Sequence, residues 1–271
     1  YRAWVGRRGD QGPGLVEREL DGWLQRLDQP GVDLPYDNPR GKDLVEHLVG
    51  LPVTLSQSCT SQLLKRVPVV YQTQINDVLL AALSRVLCRW SAQSSVLIQF
   101  EGHGREDLFD EVELSRTVGW FTSMYPIRLE PGVDADVGQS IQAVKAQLAA
   151  LPNKGLGYGV LRHLAEPSVC ERLQRLPQAR VTFNYMGQFD QSFDDEALLV
   201  PAEEGAGQCY SRKAPLGNWL EIVGQVFDGQ MTLRCLFSKR RYRPQTIEWL
   251  MAELQGELEA LVAHCMDEAL A

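Results

Sequence analysis

One glutamate stands where a carboxyl group could act as an acid or a base, directly after a short apolar run. The run is residues 96–100 (VLIQF), and residues 101–106 (EGHGRE) follow it. A short apolar run bounded by polar and turn residues is typical of a buried strand, and the glycines beyond it allow a sharp reversal. Glu101 is therefore predicted as the last strand residue, with its carboxylate facing the space beyond. Loss of water there would raise its pKa towards neutral pH. A solvated corner with scattered charges is the alternative.

The rest of the sequence predicts helices and strands in mixed order. The longest periodic pattern is a helix over residues 73–90, with Thr73 as candidate N-cap. Further helices are predicted over residues 60–67 (ended by Pro68), over 136–151, and from Pro244 to about Cys265. Strands are predicted over residues 51–55, 96–101, 118–129, 180–185, 219–226 and 231–237, with a hairpin at Asp228-Gly229. This pattern fits an α/β fold of the α+β sandwich type, with helices packed on a mixed β-sheet.

The composition argues against several classes of function. The 271 residues carry a net charge of −8 without a basic cluster, so a nucleic-acid partner is not expected. No apolar stretch approaches the roughly 18 residues that cross a bilayer, so no membrane partner is expected either. The six cysteines lie scattered, with no spacing suited to a metal. This usage favours free thiols in a cytoplasmic protein over disulfides or zinc.

Five blocks of the sequence together resemble the epimerization domains of nonribosomal peptide synthetases, which belong to the condensation-domain superfamily. In chain order the blocks are residues 76–83 (NDVLLAAL), 101–106 (EGHGRE), 116–126 (RTVGWFTSMYP), 152–159 (PNKGLGYG) and 183–187 (FNYMG). The resemblance implies one lobe of the chloramphenicol-acetyltransferase-like fold, two of which make a complete domain. It also implies inversion, from L to D, of the Cα of an aminoacyl or peptidyl thioester. The substrate would arrive on the phosphopantetheine arm of a peptidyl carrier domain, and the domain would need no cofactor of its own.

The resemblance places three catalytic groups in this sequence. Glu101 would be the carboxylate that exchanges the α-proton, and Asn184 and Tyr185 would stabilise the developing oxyanion or order a water. Adjacent residues of a regular strand face opposite ways, so both cannot point into one cleft unless the strand ends or bulges there. Gly187, two residues further on, favours such an ending; the alternative for Tyr185 is a core aromatic.

Three further residues receive supporting roles from the same resemblance. Arg105 would hold its loop or tune Glu101. Trp120 and Ser123 would line the tunnel through which the phosphopantetheine arm reaches the carboxylate, although core packing is the alternative for the aromatic residues of this segment.

The sequence departs from the family in lacking its His-His-x-x-x-Asp-Gly motif, because the four histidines (47, 103, 163 and 264) are never adjacent. The expectation is that residues 51–271 form the carboxy-terminal lobe. Residues 1–50 would be a helical start and a crossover linker from a missing amino-terminal lobe that supplies the catalytic histidine. Expected partners are that lobe, the carrier domain and neighbouring synthetase modules. A peptide-bond-forming condensation domain and a non-catalytic carrier-docking module are the alternatives.

Overall fold

The computed structural model describes residues 12–28, 33–105, 113–114, 116–132, 134–189 and 207–268. Its helices are α1 (Gly12–Leu27), α2 (Gln57–Lys65), α3 (Val67–Tyr71), α4 (Ile75–Ser91), α5 (Val137–Ala149), α6 (Leu156–His163), α7 (Pro167–Gln174) and α8 (Pro244–Glu268). Its strands are β1 (Leu48–Thr54), β2 (Val96–Gly102), β3 (Ser123–Leu129), β4 (Val181–Gln188), β5 (Leu220–Phe227) and β6 (Gln230–Ser238). Short 3₁₀ turns at Val45–His47 and Pro152–Gly155 complete the described elements.

The six strands form one mixed sheet in the order β1-β6-β5-β4-β2-β3. The central pairs β2–β4 and β4–β5 are parallel, whereas the outer pairs are antiparallel. β3 is last in this order and so forms an edge of the sheet, the position at which a proline such as Pro126 is tolerated. The predicted fold class, helices on a mixed sheet, is confirmed.

The hairpin between β5 and β6 is set by its two turn residues. Asp228 and Gly229 have φ angles of 50° and 65°, the left-handed conformation that a tight two-residue turn requires at both positions. The predicted hairpin is confirmed, and β6 pairs with β5 on one side and with β1 on the other.

One face of the sheet carries the core. Helices α4 and α8 pack there against alternate strand residues, which include Ile98, Phe183, Ile222, Cys235 and Phe237. Residues 78–88 of α4 are buried without interruption, as expected for a helix surrounded by other elements. Each large apolar side chain removed from water contributes about 1.5–3 kcal/mol, so this layer stabilises the sheet strongly.

The opposite side of the sheet, which we call the open face, carries Gln99, Glu101, Asn184, Glu221 and Val223, all half-buried. Burial on this face decreases towards the carboxyl ends of the parallel strands. On β4, for example, Thr182 is buried, Asn184 is half-buried and Met186 is exposed. Parallel strands are usually covered on both faces, and binding sites in such sheets commonly lie at the carboxyl ends of the strands. This exposed end of the sheet is therefore the candidate position for a site.

Several predicted boundaries differ from the structure. Helix α2 begins after Ser56, which caps it, and ends at Lys65; Pro68 lies in the first turn of the separate helix α3 rather than stopping α2 directly. Helix α4 is capped by Gln74 and Asp77 instead of Thr73. Strand β3 begins at Ser123, because residues 116–122 form a loop and not the first half of a long strand.

Candidate active site

Glu101 and Asn184 occupy partner positions on the central parallel strands. Glu101 is the penultimate residue of β2, which ends one residue later than predicted, at Gly102. Its Cα is paired with that of Asn184 on β4 and with that of Met124 on β3. Paired residues of neighbouring strands point to the same face. The structure therefore brings the predicted carboxylate and the predicted amide together on the open face.

The surroundings of Glu101 favour its protonated form. Burial raises the pKa of its carboxyl group above the ordinary value, and the negative charge of Glu221 raises it further. Glu221 lies on β5, on the same face, and its own pKa is also raised by burial. A carboxylate with a raised pKa is a stronger base, so this environment suits proton abstraction.

Tyr185 points away from Glu101. Strand β4 continues regularly through this residue and becomes irregular only between Tyr185 and Gln188, where Gly187 has a φ of 99°. The ring packs against the core, and its hydroxyl oxygen is buried without a hydrogen-bond partner in the described part of the chain. Burial raises the pKa of this phenol. Regular alternation up to this residue places Tyr185 on the helix-covered face, away from Glu101. Its predicted catalytic role is therefore tested separately from that of Asn184.

Arg105 holds the loop that leads into β3. Its guanidinium donates to the carbonyl oxygens of Leu114 at 2.7 Å and Thr117 at 2.9 Å, and it stacks over the ring of Phe121 at 4.2 Å. These bonds connect the segment after Glu101 to the residues before β3. The contacts fit the predicted loop-holding role.

Gly104 allows the two segments to approach. It adopts a φ of 67°, and a Cβ atom there would collide with the carbonyl oxygen of Phe121. Only glycine fits both the conformation and the contact. In the same turn, the ring nitrogen Nδ1 of His103 accepts a hydrogen bond from the backbone N–H of Arg105 at 2.9 Å.

A cavity of about 420 Å³ lies beside the end of β2, on the helix-covered side of the sheet. Phe100, Tyr125, Leu148 and Leu151 provide apolar walls, and the remaining lining residues are mainly polar and include Asn76, Lys145, Lys154, His103 and Ser123. Of the two residues predicted to line a tunnel, Ser123 borders this cavity. Trp120 is 78% exposed on the loop outside it. Glu101 faces the other side of the sheet, so strand β2 lies between its carboxylate and this cavity.

Other kinds of site are absent from the described residues. No group of three or more His, Cys, Asp or Glu side chains among them is arranged to hold a metal ion. No helix in that part of the chain is long and apolar enough to cross a membrane. All six cysteines are free.

Three residues near Glu101 were not identified from the sequence: Glu221, Met124 and Met186. Each lies on an element that was predicted wholly or in part, but its proximity to Glu101 depends on strand order and register. A charged residue within an apolar strand was the available signal for Glu221. The two methionines gave no such signal.

Comparisons with known proteins place this geometry in context. Residues 1–269 match the family described as Condensation domain. The chain is 41% identical over 257 residues to a linear gramicidin synthase protein of Brevibacillus parabrevis, covering 94% of this chain and 3% of that protein. It is 34% identical over 244 residues to tyrocidine synthase 1 of the same organism, covering 88% of this chain and 22% of that protein.

Solved structures show the same fold. The epimerization domain from the third module of tyrocidine synthetase B superposes with a TM-score of 0.90 at 29% identity, over 99% of this chain and 60% of that one. The X-domain from teicoplanin biosynthesis, at 18% identity, has a TM-score of 0.69 over 97% of this chain and 57% of that one. This chain is thus a small part of the curated relatives' length and rather more than half of these two solved domains.

Proposed function

Because the chain belongs to the condensation-domain family, as its sequence blocks predicted, we propose that it is the carboxy-terminal part of an epimerization domain. Its reaction would be the inversion, from L to D, of the Cα of an aminoacyl or peptidyl thioester in nonribosomal peptide synthesis. The observation that carries the proposal is the pairing of Glu101 with Asn184 at the half-buried end of the open face.

The proposed reaction starts with proton abstraction by Glu101. A thioester stabilises negative charge at the adjacent carbonyl, so its α-proton can be removed without a cofactor belonging to the domain. The carboxylate takes the proton, the Cα–H bond breaks, and its electron pair moves into an enolate. A proton returned to the opposite side of Cα completes the inversion. No net proton is consumed.

Asn184 is proposed to stabilise the enolate. Its position beside Glu101 lets the side-chain amide donate a hydrogen bond to an oxyanion that forms next to the carboxylate. A donor aimed at developing charge in a partly desolvated site typically contributes about 2.7–4 kcal/mol to the barrier reduction. The Asn184 amide would therefore stabilise the enolate that Glu101 generates.

The second acid or base is proposed to come from the remainder of the domain. The chain covers 60% of the tyrocidine synthetase epimerization domain, and Glu101 stands half-buried on the open face. We assign residues 51–271 to the carboxy-terminal lobe and residues 1–50 to the connection with an amino-terminal lobe; strand β1 of the sheet begins within that connection, at Leu48. That lobe would carry the catalytic histidine motif, and neighbouring synthetase modules and a peptidyl carrier domain would supply the thioester.

The loop after Glu101 is proposed to guide the carrier's phosphopantetheine arm. Arg105 fixes this loop through the carbonyl groups of Leu114 and Thr117, and Ser123 borders the cavity beside β2. Trp120 stands exposed on the same loop, where an incoming arm could meet it. The cavity itself lies on the face opposite Glu101, so it is not the space in which the carboxylate would meet the thioester.

Exchange of the α-proton tests the proposal. In the complete domain, with a carrier loaded with an aminoacyl thioester in deuterated water, the wild type should incorporate deuterium at Cα and yield both stereoisomers. Glu101→Gln should abolish incorporation while leaving carrier binding unchanged, and Glu253→Gln, an exposed position on α8, is the matched control. Undiminished exchange in Glu101→Gln would remove this residue from the mechanism. Peptide-bond formation with an acceptor carrier, without exchange, would instead assign the domain to condensation.

A further inference from the structure

Two methionines stand beside Glu101 on the open face, and each leaves about half of its surface in solvent. Met124 lies on β3 at the position paired with Glu101 and is 47% exposed. Met186 lies on β4, two residues after the Asn184 that is paired with Glu101, and is 51% exposed. Single exposed apolar residues are common on protein surfaces. Here two of them stand near one candidate base and form a small apolar area next to an acidic group.

The geometry of proton abstraction determines what reaches these methionines. The carboxylate must come within about 3–3.5 Å of the reacting α-carbon. Directly paired residues of antiparallel strands, such as Glu101 and Met124, have Cβ atoms about 4.5–5.5 Å apart. Met186 lies two residues beyond Asn184 on β4, which is parallel to β2. The side chain attached to the reacting α-carbon therefore meets the neighbours of Glu101 on the same face.

The chemistry of this surface favours apolar occupants. Methionine is unbranched and polarizable, so it adapts its shape to side chains of different size. Glu101 and Glu221 are both acidic and lie on the same face, where they disfavour a further negative charge.

We infer that Met124 and Met186 form the seat for the side chain of the residue whose Cα is inverted, and that this seat selects apolar over acidic side chains. The inference rests on the proposed function, because it assumes that Glu101 is the base. It adds the substrate class: aminoacyl or peptidyl thioesters whose reacting residue has an apolar side chain.

Substrate preference of the complete domain, with its carrier, tests the inference. The carrier is loaded in turn with leucine, alanine or aspartate, and α-proton exchange is measured in deuterated water. The wild type should exchange leucine faster than aspartate. Met124→Ala and Met186→Ala should each lower the rate with leucine about 10-fold, and leave the rate with alanine unchanged. Met124→Leu, which conserves volume, should retain the leucine rate.

The control is Trp249→Ala on α8, which removes an apolar side chain of equal exposure (47%) from the helix layer and should change no rate. Equal rate losses with all three substrates, or no loss with any, would contradict the proposed contact between the methionines and the substrate side chain. So would a lowered melting temperature with unchanged preference, because the methionines would then contact the remainder of the domain. Failure of the proposed function is distinguished separately by exchange that persists in Glu101→Gln.

Discussion

Glu221 and Glu101 lie on the same face of the sheet, on strands separated only by β4, and the charge of Glu221 raises the pKa of Glu101. Burial is the larger cause of that raised pKa, and the second carboxylate adds to it. Two acidic groups on one partly desolvated surface thus keep the candidate base more basic than an ordinary glutamate.

The first prediction concerns the pH dependence of α-proton exchange. Glu101 must be ionised to accept a proton, and its raised pKa means that the ionised form is lost at a higher pH than for an ordinary glutamate. Glu221→Gln removes the negative charge, so the pKa of Glu101 falls and the acidic limb of the rate profile moves to lower pH. The shift is partial because burial remains. The measurement is kcat/KM for exchange against pH, with the exposed Glu253→Gln as control.

An acidic limb that does not move in Glu221→Gln would show that the two carboxylates do not influence each other in the complete domain. A movement to higher pH would contradict the sign of the interaction.

Local chemistry allowed the hairpin to be predicted from sequence, whereas a long-range contact prevented prediction of where β3 starts. Asp228 and Gly229 determine their turn without help from the rest of the chain. The predicted start of β3 was wrong because Arg105, distant in sequence, binds the carbonyl oxygens of Leu114 and Thr117. Those carbonyls lie just before a segment whose residue types alone favour a strand.

The second prediction concerns the turn at Gly104. Alanine there must adopt a positive φ and would collide with the carbonyl oxygen of Phe121. We expect Gly104→Ala to lower the free energy of unfolding by about 1–3 kcal/mol and to weaken the loop contacts of Arg105. Gly217→Ala is the control, because a Cβ atom at that position meets open space. Thermal unfolding and limited proteolysis of the complete domain provide the measurements; equal melting temperatures for the two variants would contradict the close approach.

The third prediction concerns the ion pairs between α4 and α8. The carboxylate of Glu257 accepts hydrogen bonds from Nε of Arg85 at 2.6 Å and from the guanidinium of Arg89 at 2.5 Å, and the side chains of Arg85 and Glu257 are largely buried. Removing one partner leaves a buried charge without compensation. We expect Glu257→Ala to lower the free energy of unfolding by about 3–5 kcal/mol. Glu253→Ala, exposed on the same helix, should have little effect.

Chemical denaturation of the two variants checks this prediction. A loss below about 1 kcal/mol for Glu257→Ala would mean that the pair behaves like an exposed one.

Residue types drew attention to Glu101, and the family resemblance nominated Asn184, but neither showed which other residues lie beside them. Both stand near the ends of apolar runs, and a polar residue in that place is visible without a structure. Strand register is different, because the pairing of Glu101 with Asn184 and Met124 depends on contacts between segments far apart in the chain. Strand alternation predicted that Asn184 and Tyr185 face opposite sides unless the strand is interrupted between them. The irregularity in β4 comes only after Tyr185, so the two residues do face opposite sides.

The last prediction separates the roles of Asn184 and Tyr185. Asn184 shares the face of Glu101, so Asn184→Ala should lower the exchange rate about 100-fold or more, the typical effect of removing an oxyanion donor. The hydroxyl of Tyr185 is buried without a hydrogen-bond partner among the described residues, so Tyr185→Phe should keep the exchange rate and raise the melting temperature slightly. Both variants are assayed in the complete domain with a loaded carrier. A large loss of exchange in Tyr185→Phe, at unchanged stability, would show that the end of β4 rearranges during the reaction and brings the phenol to the substrate.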